Sequence, residues 1–193
     1  MNEVILQKKR LRKILTEKRN LIKKKNIQQF SIEAFYKLID KVEFDKIEIV
    51  GSFMSIRSEI STSQLNKTIL EMKKKLAFPI IKTNSEELIF KTINSNKKFN
   101  LGKFNIPEPA NDSKEIIPQI FFVPCLGFDL NGYRIGYGGG FYDKTFAKLK
   151  KLNLFFYTVG FAFDEQRQNK LPIDEYDYKL DFVLTEKQLY NFI

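Results

Sequence analysis

Between Arg134 and Asp143 the chain reads R-I-G-Y-G-G-G-F-Y-D, and Gly136, Gly138, Gly139 and Gly140 are four of only nine glycines among 193 residues. Glycine enters backbone conformations closed to other residues and lets a ligand approach the main chain closely. Residues 141–150 carry a helical pattern, which puts these glycines at a helix N-terminus. Free backbone N–H groups and the positive end of the helix dipole favour phosphate there. Arg134 before the run and Asp143 after it suit a phosphate and its metal ion, and a set of turn glycines requires neither charge. The run is not a P-loop, because no G-x-x-x-x-G-K-[ST] is present, and Phe141 stands where the dinucleotide fingerprint needs its third glycine. It implies an enzyme that handles a nucleotide.

The segments around the run alternate between two periodicities. Residues 3–25 place Leu11, Ile14, Leu15 and Leu21 or Ile22 at helical spacing, with basic residues between them. A second helix is expected over 31–39, with Ser31 as its N-cap. Residues 46–54, K-I-E-I-V-G-S-F-M, have the β-branched, apolar character of a buried strand. Thr62 is placed to cap a further helix whose buried face carries Leu65, Ile69, Met72 and Leu76. Strands are expected over 77–81, 88–93, 116–123, 154–163 and 181–184, with Pro118 in the lead-in of the third, and a short helix from Thr185. Residues 94–114, rich in Asn, Lys, Gly and Pro, read as an ordered loop or lid. No internal repeat or low-complexity linker divides 1–193. This alternation predicts a single three-layer α/β domain, with an open, mostly parallel sheet covered by helices on both faces.

Absences narrow the chemistry. The chain has no histidine, which excludes a Ser-His-Asp triad, a Cys-His dyad and a His-ligated zinc site. Cys125 is the only cysteine, so intramolecular disulfides and cysteine zinc clusters are excluded as well. It reads as a small core residue. Any metal is then expected to be a hard, oxygen-bound ion such as Mg²⁺. No apolar run approaches the roughly 20 residues of a membrane span. The N-terminal basic residues follow a short apolar patch, the reverse of a signal peptide, and a cytoplasmic protein is expected. Net charge is +10. A solvated lysine-rich surface accounts for most of it; the rest suits either nucleic-acid binding or a field that attracts polyanionic small molecules such as ATP or a polyglutamate.

Several charged residues stand out by position. Lys8 and Arg12, four apart, share one helix face, although a basic face near a terminus is ordinarily just solvated. Asp143 and Asp181 singly read as surface or capping acids; as a pair at the ends of sheet-derived segments they suit Mg²⁺ held through water. Glu59 follows a buried strand, where open α/β sheets place ligand contacts, and serves equally well as a helix N-terminal charge.

These pieces carry a family resemblance. V-P-C-L-G-F-D-L-N-G-Y-R-I-G-Y-G-G-G-F-Y-D at 123–143 resembles the signature of the 5-formyltetrahydrofolate cyclo-ligases, also called 5,10-methenyltetrahydrofolate synthetases. K-K-R-L-R at 8–12, S-F-M-S-I-R-S-E-I-S-T at 52–62, F-N-I-P-E-P at 104–109 and Y-D-Y-K-L-D-F-V-L-T-E at 176–186 fall in the family's order. The resemblance implies a fold like the ribose-phosphate isomerase and CoA-transferase group. It implies ATP-dependent cyclisation of 5-formyltetrahydrofolate to 5,10-methenyltetrahydrofolate, releasing ADP and phosphate. Carried over, Lys8, Lys9, Arg10, Leu11 and Arg12 resemble one ATP-binding segment. Arg134, Ile135, Gly136, Tyr137, Gly138, Gly139, Gly140, Phe141 and Tyr142 resemble the ATP loop, with Tyr137 to Phe141 also bordering the folate. Lys8 and Arg134 take the catalytic charge, Met54 and Glu59 resemble substrate contacts, and Asp143 and Asp181 resemble the Mg²⁺-associated acids.

The chain departs from the family's pattern twice. Tyr176-Asp177 stands where a His-Asp pair is common, and Phe141 where tyrosine is common. A monomer with reduced folate and ATP as partners, and no membrane or nucleic acid, is expected. The rival readings are a homologue that binds nucleotide or folate without cyclising it, and a basic RNA-binding module using the N-terminal helix. No RNA-binding aromatic motif accompanies that helix.

Overall fold

The computed structural model describes residues 3–24, 30–82, 85–93, 100–102, 107–109 and 113–193. In chain order the helices are α1 (Glu3–Lys24), α2 (Ile32–Lys41), α3 (Ser63–Glu71) and α4 (Phe141–Lys151). The strands are β1 (Ile49–Gly51), β2 (Lys75–Ile81), β3 (Leu88–Thr92), β4 (Asn100–Leu101), β5 (Pro107–Glu108), β6 (Ile120–Pro124), β7 (Gly127–Asp129), β8 (Arg134–Ile135), β9 (Tyr157–Phe161), β10 (Arg167–Gln168), β11 (Phe182–Leu184) and β12 (Leu189–Asn191).

β6 shows why the layers form. Its I-F-F-V run is apolar at every position, as a strand covered on both faces must be. Ile120 and Phe122 enter one buried cluster with Phe35 and Leu38 of α2 and Leu65 and Ile69 of α3. Phe121 and Val123, alternating to the opposite face, enter another with Phe146 and Leu149 of α4. Phe121 meets Phe90, Phe146 and Phe156 edge-on at ring separations of 5.0, 5.3 and 5.5 Å. Such pairs add about 0.5–1.5 kcal/mol each beyond the area they bury.

The main sheet has the order β12-β11-β9-β6-β1-β2-β3. Its five inner strands run parallel, and β3 and β12 pair antiparallel at the two edges. This is the expected three-layer α/β arrangement. A three-stranded sheet, β10-β7-β8, lies beside it. Leu11 and Leu15 of α1 pack there with Leu126, Ile135 and Leu171, so α1 is bound to the strands that lead into the glycine run.

Several local expectations hold. Ser31 caps α2, its Oγ accepting from the Ala34 N–H at 3.2 Å. α4 begins at Phe141, directly after Gly140, and β6 starts beyond Pro118. Others are corrected. The strands expected over 46–54 and 154–163 shorten to β1 and β9, and Lys46 belongs to a 3-10 turn. Thr62 stands at the start of α3, but its hydroxyl donates to the Phe53 carbonyl at 2.9 Å instead of capping the helix. α3 ends at Glu71, and Leu76 belongs to β2, since the turn at Lys73 (φ 58°) redirects the chain into the sheet. No helix follows Thr185: its hydroxyl binds the Gln188 N–H and carbonyl, closing a turn that returns the chain as β12. Of the expected 94–114 loop, Asn100–Leu101 and Pro107–Glu108 form the small β4-β5 ladder, and 94–99, 103–106 and 110–112 lie outside the described residues, as do residue 25 and the first half of the F-N-I-P-E-P segment.

Candidate active site

Helix α1 directs Lys8, Arg12, Leu15, Arg19 and Ile22 towards the body of the protein at alternating steps of four and three, with Leu11 at the border of that stripe. Lys9 and Arg10 face solvent. Leu11 belongs to the apolar contact with the small sheet. Arg12 crosses to the glycine turn, where its Nε donates to the Gly136 carbonyl at 3.0 Å. Gly138 has φ +105°, and a Cβ built on it would lie 3.3 Å from the Arg12 Cζ. The backbone there is both left-handed and pressed against a guanidinium, so glycine is required. A groove of about 280 Å³ opens alongside, lined in part by Arg12, Thr16, Leu126 and Tyr137.

Arg134 lies on the other side of the turn, and only 7% of it is exposed. Its Nη2 donates to Asp143 Oδ1 at 3.0 Å, and its Nη1 is 3.4 Å from where a Cβ on Gly136 would sit. Its Nε is buried without a hydrogen-bond partner among the described residues. Leaving such a donor unpaired costs about 1–3 kcal/mol, which an arriving anion would relieve. Ile135 is buried beside Leu126. Phe141 and Tyr142 pack against the α4-side core. The Phe141 ring lies 2.7 Å from a Cβ built on Gly139, so this glycine also makes room for the first residue of α4. Gly140 has φ +66° and forms the N-terminal boundary of α4.

The acids are divided among neighbouring segments. Asp143 Oδ1 accepts from Arg134 and from the Tyr178 N–H at 3.2 Å, while Oδ2 takes no hydrogen bond among the described residues. Asp181 accepts the Thr158 N–H and hydroxyl through Oδ2, at 2.7 and 2.9 Å, and its Oδ1 is likewise left over. Tyr178, bonded to one acid, feels the other: burial and then the Asp181 charge push its phenol up to about 12. Lys8 is held by two acids with no role assigned from the sequence, Asp174 at 2.7 Å and Asp177 at 2.5 Å. Tyr176 is 77% exposed, so its ring stands in solvent and only its backbone N–H joins the cluster, donating to Asp174.

Beyond the end of β1, Met54 packs against the main core and Glu59 is buried. Glu59 Oε2 accepts from the Ile56 N–H at 2.9 Å and Oε1 from the Tyr137 hydroxyl at 2.7 Å. Burial raises the Glu59 carboxyl above its usual range, against the opposing pull of these two hydrogen bonds and of Arg19 and Arg57. Arg19 lies outside every motif that marks the site in the sequence. Its signal was present, because it occupies the same stripe of α1 as Lys8, Arg12 and Leu15, where a solvated arginine has no place.

The open parallel sheet, with Arg12, Arg134, Asp143 and Glu59 linked around the glycine turn and Asp181 held apart by Thr158 at the start of β9, places the protein among the α/β enzymes. The 5-formyltetrahydrofolate cyclo-ligase family matches residues 4–186, and the chain belongs to that family. It is 29% identical to a 5-formyltetrahydrofolate cyclo-ligase of Mus musculus, over 93% of this chain and 89% of the relative. It is 24% identical to one from Escherichia coli K12, over 93% of this chain and all of the relative. Among solved structures it superposes on a 5,10-methenyltetrahydrofolate synthetase from Aquifex aeolicus with a TM-score of 0.75 at 28% identity, covering 96% of this chain and 92% of that one.

Proposed function

We propose that the protein cyclises 5-formyltetrahydrofolate to 5,10-methenyltetrahydrofolate at the expense of ATP, releasing ADP and phosphate. Family membership supports the cyclo-ligase activity. The observation that carries the ATP half is the meeting of Arg12 and Arg134 at one glycine turn, with a buried Arg134 N–H beside it that has no partner among the described residues.

In this reading the formyl oxygen attacks the γ-phosphorus, the bond to the ADP oxygen breaks, and ADP departs. N10 then bonds to the formyl carbon and loses its proton, while the C–O bond to phosphate breaks. An amide oxygen leaves poorly until it is phosphorylated, hence the need for ATP. Phosphoryl transfer depends chiefly on positioning and charge neutralisation, and a chain without histidine can supply both. Arg134 places its free Nε on the transferred group, and Arg12 brings its guanidinium to the turn. Lys8 has three donors, two of them on Asp174 and Asp177, which leaves one for phosphate. Glu59 and Met54 border the folate, with Glu59 orienting the pterin or N10.

Mg²⁺ fits the residues present. Among the described residues Asp143 and Asp181 each keep one carboxylate oxygen without a hydrogen bond, Asp143 in the first turn of α4 and Asp181 beside Thr158 at the start of β9. Among the described residues no group of three or more acidic, histidine or cysteine side chains forms a complete cage. Mg²⁺ characteristically takes one or two carboxylates together with water and substrate phosphates. Bound there it would supply charge neutralisation on the nucleotide. The protein is read as a cytoplasmic monomer; no helix among the described residues is long and apolar enough to cross a membrane.

The deciding assay mixes purified protein, Mg-ATP and 5-formyltetrahydrofolate and follows methenyl absorbance. Product formation with stoichiometric ADP supports the reading, and none under any metal condition, with the fold intact, would sink it.

A further inference from the structure

Arg19 is a charged side chain with only 1% of its surface exposed, and it belongs to no motif. Its guanidinium ties together three segments distant in sequence. Nε donates to Ser58 Oγ at 3.2 Å, Nη1 to the Cys125 carbonyl at 3.2 Å, and Nη2 to the Tyr137 hydroxyl at 2.5 Å. Glu59 Oε1 lies 3.9 Å from Nη1 and accepts the hydrogen of that same Tyr137 hydroxyl at 2.7 Å. The tyrosine therefore bridges the pair, accepting from Arg19 and donating to Glu59.

Burying a guanidinium is costly unless it is paired and hydrogen-bonded, and burying a carboxylate is costly for the same reason. Here each offsets the other's cost, and the groups offsetting it belong to the proposed folate side of the site. We propose that Arg19 is a positioning residue for the cyclisation: acting through Tyr137 and directly, it holds Glu59 as an oriented carboxylate and couples it to the glycine turn. This rests on the reading of Glu59 as a folate contact.

The charge is fixed, because arginine does not deprotonate in proteins. The bridge is fixed too, since burial, followed by the neighbouring Glu59 charge, pushes the Tyr137 phenol up to about 12 and keeps its hydrogen in place at neutral pH. Glu59 is the adjustable member. Burial raises its carboxyl, and the Ile56 N–H, Tyr137, Arg19 and Arg57 pull it back down. Cys125 and Tyr142 also sense its charge, and burial raises both of them, so neither titrates near neutrality. Without Arg19 the balance tips towards a neutral Glu59, which cannot accept hydrogen bonds through both oxygens as a carboxylate does.

The test is a titration of the full chain carrying ¹³C-carboxyl glutamate, with the Glu59 signal assigned by its loss in Glu59→Gln. In Arg19→Met, Glu59 should titrate about one pH unit or more higher than in the wild type, and Arg19→Lys should recover most of the difference. The acid limb of kcat/KM for 5-formyltetrahydrofolate should move up by the same amount, falling about tenfold per unit at pH below both values. KM for ATP should stay within about twofold. A folded Arg19→Met protein with an unmoved Glu59 titration overturns the inference, as does lost activity with an unshifted acid limb, the mark of a merely structural arginine. Should Arg19→Met fail to fold, Tyr137→Phe cuts the bridge alone; Glu59 must then titrate higher, and no change overturns the coupling. Absence of cyclisation by the wild type overturns the folate reading and the catalytic half of this inference, while the NMR titration still judges the Arg19–Glu59 pair.

Discussion

The Nε of Arg12 donates to the carbonyl of Gly136 across 3.0 Å, joining α1 to a turn 124 residues later. Arg12→Lys keeps a charge but loses the planar donor fork. It should lower stability by about 0.5–1.5 kcal/mol in urea unfolding and raise the KM for ATP. A wild-type KM in the lysine variant would remove Arg12 from the nucleotide site.

The glycines of the turn should differ in tolerance. Gly138→Ala meets both a positive φ and the Arg12 guanidinium, and should cost about 1–3 kcal/mol and disturb the Arg12 contact. Gly136→Ala meets only the Arg134 Nη1 at 3.4 Å, the end of a side chain, and should cost less than about 1 kcal/mol. Thermal unfolding of the two variants side by side checks the order; equal losses would contradict it.

Asp143→Asn preserves an acceptor for Arg134 and the Tyr178 N–H while removing the charge. Its unfolding midpoint should stay close to that of the wild type, and the magnesium concentration for half-maximal cyclisation should rise by roughly an order of magnitude. Arg134→Ala should lower turnover or raise the ATP requirement sharply. A wild-type magnesium titration counts against Asp143 as a metal partner, and unchanged kinetics remove Arg134 from the site.

Acid stability should report on Lys8. Burial pushes the Asp174 carboxyl up, but the Lys8 hydrogen bond, the Tyr176 N–H and the charges of Lys8 and Arg12 outweigh it, leaving the carboxyl below its usual 3.8. A carboxylate lowered by folding contributes stability above its unfolded value and loses it as pH falls through the folded one. Wild-type stability should therefore decline as pH drops below about 4, and Lys8→Met should flatten that part of the curve. Denaturant midpoints between pH 2 and 6 measure it, and parallel curves for the two proteins would be the contrary result.

Cys125 should be inert in the native state. It is buried, and burial pushes its thiol up to about 12, with Arg134 and Arg19 only partly opposing. A disulfide reagent at pH 8 should label no thiol in the folded protein and one in denaturant. Fast native labelling would show that the region around β6 opens.

Much of the fold was legible from local patterns. The four-residue apolar runs of β6 and the amphipathic stripes of α1 to α4 record how many faces each element buries, and burial on two faces already implies three layers. Boundaries were less legible. Thr62 has the chemistry of a cap, yet the Phe53 carbonyl offers its hydroxyl a buried partner, and Leu76 continues a helical period into what tertiary hydrogen bonds make a strand. The segment after Thr185 carries residues compatible with a helical turn, but the open edge of β11 captures it as β12.

The candidate site divides along the same line. Glycine spacing, the flanking Arg134 and Asp143, and the Lys8–Arg12 step are local features, so the sequence by itself determined that a turn suited to an anion leads into α4 and that basic residues share one face of α1. Tertiary structure alone decided that this face meets this turn, that Asp174 and Asp177 hold Lys8, and that Arg19 lies buried against Glu59 through Tyr137. The reason is physical: a turn conformation depends on neighbours in sequence, whereas the ionisation of a buried carboxylate depends on charges and donors that only folding brings from three distant segments.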